Sequence, residues 1–186
     1  MTSANYAASS PSRAPARVRL RPTMLSDLEY VVSLEQDDAN LPFITPWERT
    51  QHEAAIRFPD FRHFIVEGGE DLAAAGFLIL VGCKSPNQSL ELKRMVVQHK
   101  GRGFGRAALR LAKKVVFDDL GAHRFWLDVR THNARARGLY ESEGFVLEGT
   151  LREAVRGSGG FDSLAVLSML ETEFEARRAR GQELAR

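Results

Sequence analysis

From Leu90 to Val116 the chain reads as a strand, a glycine-punctuated turn and an amphipathic helix, and this unit limits the fold more than any other stretch. The strand is Leu90-Glu91-Leu92-Lys93-Arg94-Met95-Val96-Val97, and the turn is Gln98-His99-Lys100-Gly101-Arg102-Gly103-Phe104-Gly105. Ala108, Leu111, Ala112, Val115 and Val116 then recur at helical spacing, which predicts a core-facing stripe with Arg106, Arg110, Lys113 and Lys114 on the solvated side. Three alternating glycines let several backbone N–H groups converge on one point, and a helix start adds the positive end of its dipole. Between Lys100 and Lys114 there are six basic residues and no acidic one, so the local field also suits an anion such as a phosphate.

The flanking segments predict the sheet that carries this unit. Val18–Arg21 reads as a first strand, and Ser26 or Asp27 can cap a helix carrying Leu28, Val31, Val32 and Leu34. Residues 35–47 have no clear period and are expected to be a loop beside the ligand site. A short helix over 50–58 follows, then a hairpin of strands 61–66 and 73–81 around Gly68-Gly69-Glu70-Asp71. Phe125, Leu127 and Val129 alternate with Arg124, Trp126, Asp128 and Arg130. That strand is expected to lie parallel to the glycine-bearing one through a right-handed crossover. Asn133 can cap a helix that stops at Gly144, and strands 145–151 and 163–170 complete the sheet around a loop at 157–160. The fold class is therefore α/β (α+β), with a mixed sheet and helices on its faces.

Length and composition set outer bounds. With 186 residues and 44% hydrophobic content, the chain can build one globular core, expected over residues 17–170. Residues 1–16, rich in Ala, Ser and Pro, are expected to be a disordered lead-in, and 171–186 a charged tail forming a surface helix. A net charge of +2 is too slight to imply a nucleic-acid partner. No run approaches the length of a membrane span, so no membrane partner is expected. Cys83 is the single cysteine, which rules out an intramolecular disulfide and a cysteine zinc cluster and fits a reducing, cytoplasmic setting. No metal site is expected. The turn lacks the Gly-x-x-x-x-Gly-Lys-Ser/Thr of a P-loop, and its glycine spacing is wrong for a dinucleotide fingerprint.

The residues instead resemble the GNAT superfamily of acetyl-CoA-dependent N-acetyltransferases. The family's Gln/Arg-x-x-Gly-x-Gly/Ala is met by Lys100-Gly101-Arg102-Gly103-Phe104-Gly105 with lysine first, or in a shifted register from Gln98. The favoured register starts at Lys100, because its last glycine then directly precedes the helix. Asn133-Ala134-Arg135-Ala136-Arg137-Gly138-Leu139-Tyr140-Glu141-Ser142-Glu143-Gly144-Phe145 is similar to the family's Asn-x-x-Ala-x-x-Leu-Tyr-x-x-x-Gly-Phe helix. Glu148–Glu153 and Gly160–Ser163 resemble the branch of ribosomal-protein alanine and spermidine acetyltransferases.

This resemblance implies a mostly antiparallel sheet of six to seven strands with helices on both faces. It implies acetyl-CoA as cosubstrate, with the backbone of Met95 and Val97 pairing to the pantetheine arm. The N–H groups of Arg102 to Arg106 would hold the pyrophosphate, with Lys100, Gly101, Gly103, Phe104 and Gly105 forming its loop, and Asn133 and Ala136 would be further coenzyme contacts. Tyr140 corresponds to the general acid, and Glu91 to the base, unless a water relay serves and Glu91 is a rim ion-pair partner. The acceptor would be a protein N-terminus, a polyamine or another small amine. Glu35, Asp37 and Asp38 could attract it, and Phe43 and Trp47 could wall it. The chain is expected to act as a monomer or homodimer. The alternative is a CoA-binding sensor that has lost catalysis.

Overall fold

The computed structural model describes residues 17–157 and 159–183; the lead-in expected at 1–16, and the last three residues of the expected tail, lie outside the described residues. The chain opens with β1 (Val18–Pro22). A single 3-10 turn then leads into α1 (Leu28–Glu35), and α2 (Arg49–Arg57) follows the irregular segment that the sequence predicts. A hairpin of β2 (Phe61–Gly68) and β3 (Ala73–Val81) precedes β4 (Ser89–Val97), the glycine turn and α3 (Phe104–Lys114). The second half comprises β5 (Arg124–Arg130), α4 (Ala134–Ser142), β6 (Val146–Gly157), β7 (Gly160–Leu170) and α5 (Glu171–Ala179).

Among the described residues, seven strands form one sheet in the order β1-β2-β3-β4-β5-β7-β6. Every neighbouring pair is antiparallel except β4 with β5, as the crossover rule requires. The sheet is buried on both faces through β2 and β3, where adjacent residues point to opposite cores. Val66, Leu78 and Leu80 pack with Ala108, Leu109 and Ala112 of α3, while Ile65, Phe77 and Ile79 pack with Val31 and Leu34 of α1. Burying one such side chain is worth about 1.5–3 kcal/mol, so the two cores fix which way each helix leans on the sheet.

One irregularity in β4 decides which way its side chains point. Ile79 pairs with Arg94 and Leu80 with Leu92, so Lys93 is an inserted residue without a partner on β3. The bulge reverses the side-chain alternation. Leu90 and Leu92 join the core under α3, whereas Val96 joins the core under α1, and Arg94 turns inward with it, 9% exposed.

The structure departs from the sequence reading in three places. Strands β6 and β7 run on to Gly157 and Gly160, which pair directly, so the expected loop is a tight hairpin end. A Cβ on Gly157 would lie 2.3 Å from a carboxylate oxygen of Asp162, so any other residue there would have to push that side chain aside. Lys113, expected on the solvated face of α3, is fully buried because Glu143 and Glu183 converge on its ammonium. The charged tail is not a purely solvated helix. Phe174 of α5 is fully buried and stacks on Phe117 at 4.7 Å between centroids.

Candidate active site

Strands β4 and β5 are paired only where Ser89–Glu91 meet Arg124–Trp126. Beyond Glu91 they part, and the edge of β4 that carries Met95 and Val97 has no strand partner on that side among the described residues. A parallel pair can separate in this way because the register is held at one end only, while β3 and β7 hold the two strands from outside. The gap opens into a cleft of about 490 Å³. Its walls are the residue 43–47 segment, the parted halves of β4 and β5, and the start of α4 with Tyr140.

Gly101 and Gly103 both have φ in the left-handed region, +79° and +87°, which a side chain would strain. Gly103 caps α3 without any side-chain hydrogen bond, and the helical ladder begins only when Ala107 N–H donates to Gly103 O at 3.1 Å. The N–H groups of Phe104, Gly105 and Arg106 therefore point out of the helix start without helical acceptors. The Phe104 ring turns inward against Gly68, so the turn offers backbone amides rather than side chains to a ligand. Arg102 is exposed, with its guanidinium 5.7 Å from the Phe104 ring.

Neighbouring side chains are already engaged. Lys100 Nζ donates to Ala39 O at 2.6 Å, tying the glycine turn to the segment after α1. The Arg106 guanidinium bonds the buried Glu143 carboxylate, which also receives Arg110 and Lys113. Burial pushes the Glu143 carboxyl up, but Arg110, Lys113 and Arg106 outweigh it and hold it below the usual carboxylate range. Asn133 Oδ1 accepts from Ala136 N at 3.1 Å, which is the predicted cap, and both residues line the cleft.

Tyr140 is 7% exposed at the cleft wall, and its hydroxyl makes no hydrogen bond to a described residue. Burial, then the nearby Asp128, pushes its phenol well above the ordinary tyrosine range, so the proton stays on. Glu91 lies in the still-paired part of β4 and is not a lining residue; Lys93 Nζ donates to it at 3.1 Å. Burial is the main cause that raises its carboxyl above the usual value, with Lys93 opposing.

Charge matching in the cleft is uneven. Among the described residues three cations line it, and each faces a carboxylate: Lys93 faces Glu91, Arg94 faces Glu35 at 3.3 Å, and Arg130 faces Asp162 at 2.6 Å. Asp128, the lining acid, is in no ion pair among the described residues. Pattern reasoning placed Asp128 only on the face of its strand opposite Phe125, Leu127 and Val129. It missed Arg94, Arg130 and Asp162, which come together through strand order and the β4 bulge.

The acceptor-side expectations divide. Phe43 and Trp47 do line the cleft. Asp37 and Asp38 are exposed on the loop. Glu35 does not face solvent as an attractant: it is fully buried, with Arg94 beside it and the Trp47 N–H donating to it. Among the described residues no helix is long and apolar enough to cross a membrane.

Comparison with known proteins matches this architecture. Spermidine N(1)-acetyltransferase of Vibrio cholerae is 29% identical over 114 residues, 61% of this chain; the chain thus spans 65% of that relative. Among solved structures, a spermidine N-acetyltransferase chimera from Vibrio cholerae and hSSAT superposes with a TM-score of 0.78 at 26% identity, covering 86% of this chain and 99% of that one. The Vibrio cholerae enzyme in complex with CoA and spermine superposes with a TM-score of 0.77 at 24% identity, covering 85% and 98%. Its dodecameric form gives 0.74 at 25% identity, covering 86% and 97%. The family model for the acetyltransferase (GNAT) domain matches residues 17–146, well over half the sequence, and the chain belongs to the GNAT acetyltransferase family.

Proposed function

We propose that the protein is an acetyl-CoA-dependent N-acetyltransferase acting on a cationic primary amine, with a polyamine as the favoured acceptor. One observation carries the reading: the three cleft cations are matched by Glu91, Glu35 and Asp162, leaving the Asp128 carboxylate beside Tyr140 for a positive ligand. A protein N-terminus bears one charge at this position, whereas a polyamine bears several, and unmatched negative charge favours the latter. The family match and the spermidine acetyltransferases among the similar proteins support the same choice.

The residues fit the cosubstrate. The unpaired edge of β4 at Met95 and Val97 suits the amides of a pantetheine arm by strand addition. The amides from Arg102 to Arg106 suit a pyrophosphate, with Lys100, Gly101, Gly103, Phe104 and Gly105 shaping the loop. Asn133 and Ala136 stand where α4 begins, at the cleft wall. Acetyl-CoA supplies the activated acyl group and a thiolate leaving group. Tyr140 keeps its phenol proton in the buried wall and is assigned as the acid that gives it to the departing sulfur. Asp128 is assigned to hold the amine and take the proton that the ammonium must lose, directly or through water. Glu91 has a carboxyl made more basic by burial, but it is held by Lys93 and is second choice.

The expectation of a monomer or homodimer does not fit the dodecameric form of the Vibrio cholerae relative. We extend the larger assembly to this chain, supported by the exposed edge strand β6 with Val146, Leu147 and Leu151 in solvent. Light scattering after size exclusion reads it, and a monomer or dimer mass would refute it.

Thiol release from acetyl-CoA over a panel of triamines, tetraamines, monoamines and a short peptide with a free N-terminus tests the activity. The highest kcat/KM is expected for polyamines. CoA binding in calorimetry with no thiol release from any amine would replace the reading with a CoA-binding sensor.

A further inference from the structure

Opposite the glycine turn, under the core packed on α1, lies a run of buried polar side chains that the proposed reaction does not use. Thr23 Oγ1 is 2.9 Å from His63 Nδ1, and His63 Nε2 is 3.1 Å from His52 Nδ1. His52 Nε2 faces a carboxylate oxygen of Glu35 at 3.7 Å, and the other oxygen of Glu35 is 3.3 Å from Arg94. Glu35 and His52 are fully buried, and Thr23 and His63 are each 6% exposed. The members come from five separate places: the β1–α1 connection, the end of α1, α2, β2 and the bulged part of β4. Keeping so many polar groups from water is costly unless they satisfy one another, and Glu35 Oε1 and His52 Nε2 have only ion-pair neighbours, with no hydrogen-bond partner among the described residues.

The geometry orients the chain. A lone pair on His52 Nε2 would oppose the Glu35 carboxylate, so that nitrogen carries the proton. His52 Nδ1 is then an acceptor, His63 Nε2–H donates to it, and His63 Nδ1 accepts from the Thr23 hydroxyl. Burial, with His52 beside it, pushes the His63 imidazole down to about 3 against the opposing pull of Asp27, in keeping with a neutral ring. All the donors point one way, toward Glu35.

At the far end the chain reaches the cleft. Glu35 meets Arg94, whose guanidinium lies 5.6 Å from the Trp47 ring and donates twice to Thr45 O at 3.0 Å. Arg94, Thr45 and Trp47 all line the cleft.

We propose that the Thr23–His63–His52–Glu35 chain is a positioning device for the acceptor subsite: it fixes the Glu35 carboxylate against Arg94, cancels that cation, and so leaves Asp128 to select a polycationic amine. This rests on the cationic-acceptor reading above and adds the residues that set its charge selectivity. None of the four touches the reacting atoms.

Two measurements test it. The first reads the chain without any turnover. Imidazole 15N resonances of the full-length protein should show both His52 and His63 with a proton on Nε2, and His63 should stay neutral between about pH 5 and 8. An Nδ1–H His52 or an Nδ1–H His63 overturns the orientation.

The second uses Glu35→Gln, which leaves Arg94 unmatched. The triamine KM should rise about tenfold with kcat and the acetyl-CoA KM unchanged, while a monoamine of similar length shifts far less. His52→Leu should act in the same direction, and His52→Gln, which keeps a donor toward Glu35, should recover most of the loss. If Glu35→Gln folds poorly, the double variant Glu35→Gln with Arg94→Gln removes both charges and should restore triamine affinity. Equal loss for monoamine and triamine, or no recovery in the double variant, overturns the proposal. A wild-type protein that acetylates no polyamine would sink the acceptor reading instead, and the tautomers would still report on the chain.

Discussion

Replacing Tyr140 with phenylalanine removes one oxygen from the cleft wall and little else. The ring is 7% exposed and packs edge-on to Phe145 at 6.0 Å, contacts that phenylalanine retains. Its hydroxyl has no hydrogen-bond partner among the described residues, so deletion strands no donor or acceptor, and stability should change by less than about 1 kcal/mol. The chemistry should suffer more. Without the phenol the thiolate must leave unprotonated or find water, and kcat should fall about 10²-fold, equal to about 2.7 kcal/mol of transition-state stabilisation. KM for both substrates should stay within about twofold, because the lost interaction arises only as the sulfur departs. Steady-state thiol release with thermal unfolding of the same samples separates the two effects. Because burial and Asp128 raise the phenol above its ordinary value, the wild-type kcat should show no tyrosine limb below about pH 10. An unchanged kcat in Tyr140→Phe would refute the acid assignment, and a limb near pH 8 to 9 that vanishes in the variant would refute the raised phenol instead.

Other consequences concern the scaffold. Glu143→Gln leaves Arg106, Arg110 and Lys113 without their shared buried carboxylate and should cost about 3–5 kcal/mol in urea unfolding. The Glu143 carboxyl titrates below its ordinary value in the folded protein. Its contribution is therefore present above about pH 4.5 and lost as the pH falls through the folded value, so the variant should show a shallower acid dependence than the wild type. Phe174→Ala should cost about 3–5 kcal/mol, although the residue lies in the charged tail. Its substrate KM values should be unaltered well below the melting temperature. Gly103→Ala puts a side chain at φ +87°, a strain of about 1–2 kcal/mol that should appear as weaker CoA binding in calorimetry with kcat nearly intact.

Much of the architecture was legible because it rests on local patterns. Strand alternation at Phe125–Val129, the cap at Asn133 and the glycine stop at Gly144 each depend on a few neighbouring residues. The parallel pairing of β4 with β5 followed from the strand–helix–strand order. The long hairpin at Gly157–Gly160 was harder to see, because its glycine answers to Asp162 across the turn rather than to any periodicity. Lys113 and Phe174 were misplaced for a related reason. A lysine in a basic run and a phenylalanine in a charged tail read as solvated until Glu143, Glu183 and Phe117 arrive from elsewhere.

By itself, the sequence determined the order of strands and helices, the glycine turn with its left-handed backbone, and the placement of Tyr140 on a capped helix. These depend on dihedral preference, periodicity and capping over a few residues. Tertiary structure alone decided the parting of β4 from β5, the inward turn of Arg94 at the Lys93 bulge, and the placing of Asp128 among cations that are each paired with another carboxylate. Each depends on register between strands distant in the chain. A one-residue bulge sends a side chain to the opposite face, and charge neutrality is a property of the groups that meet in space.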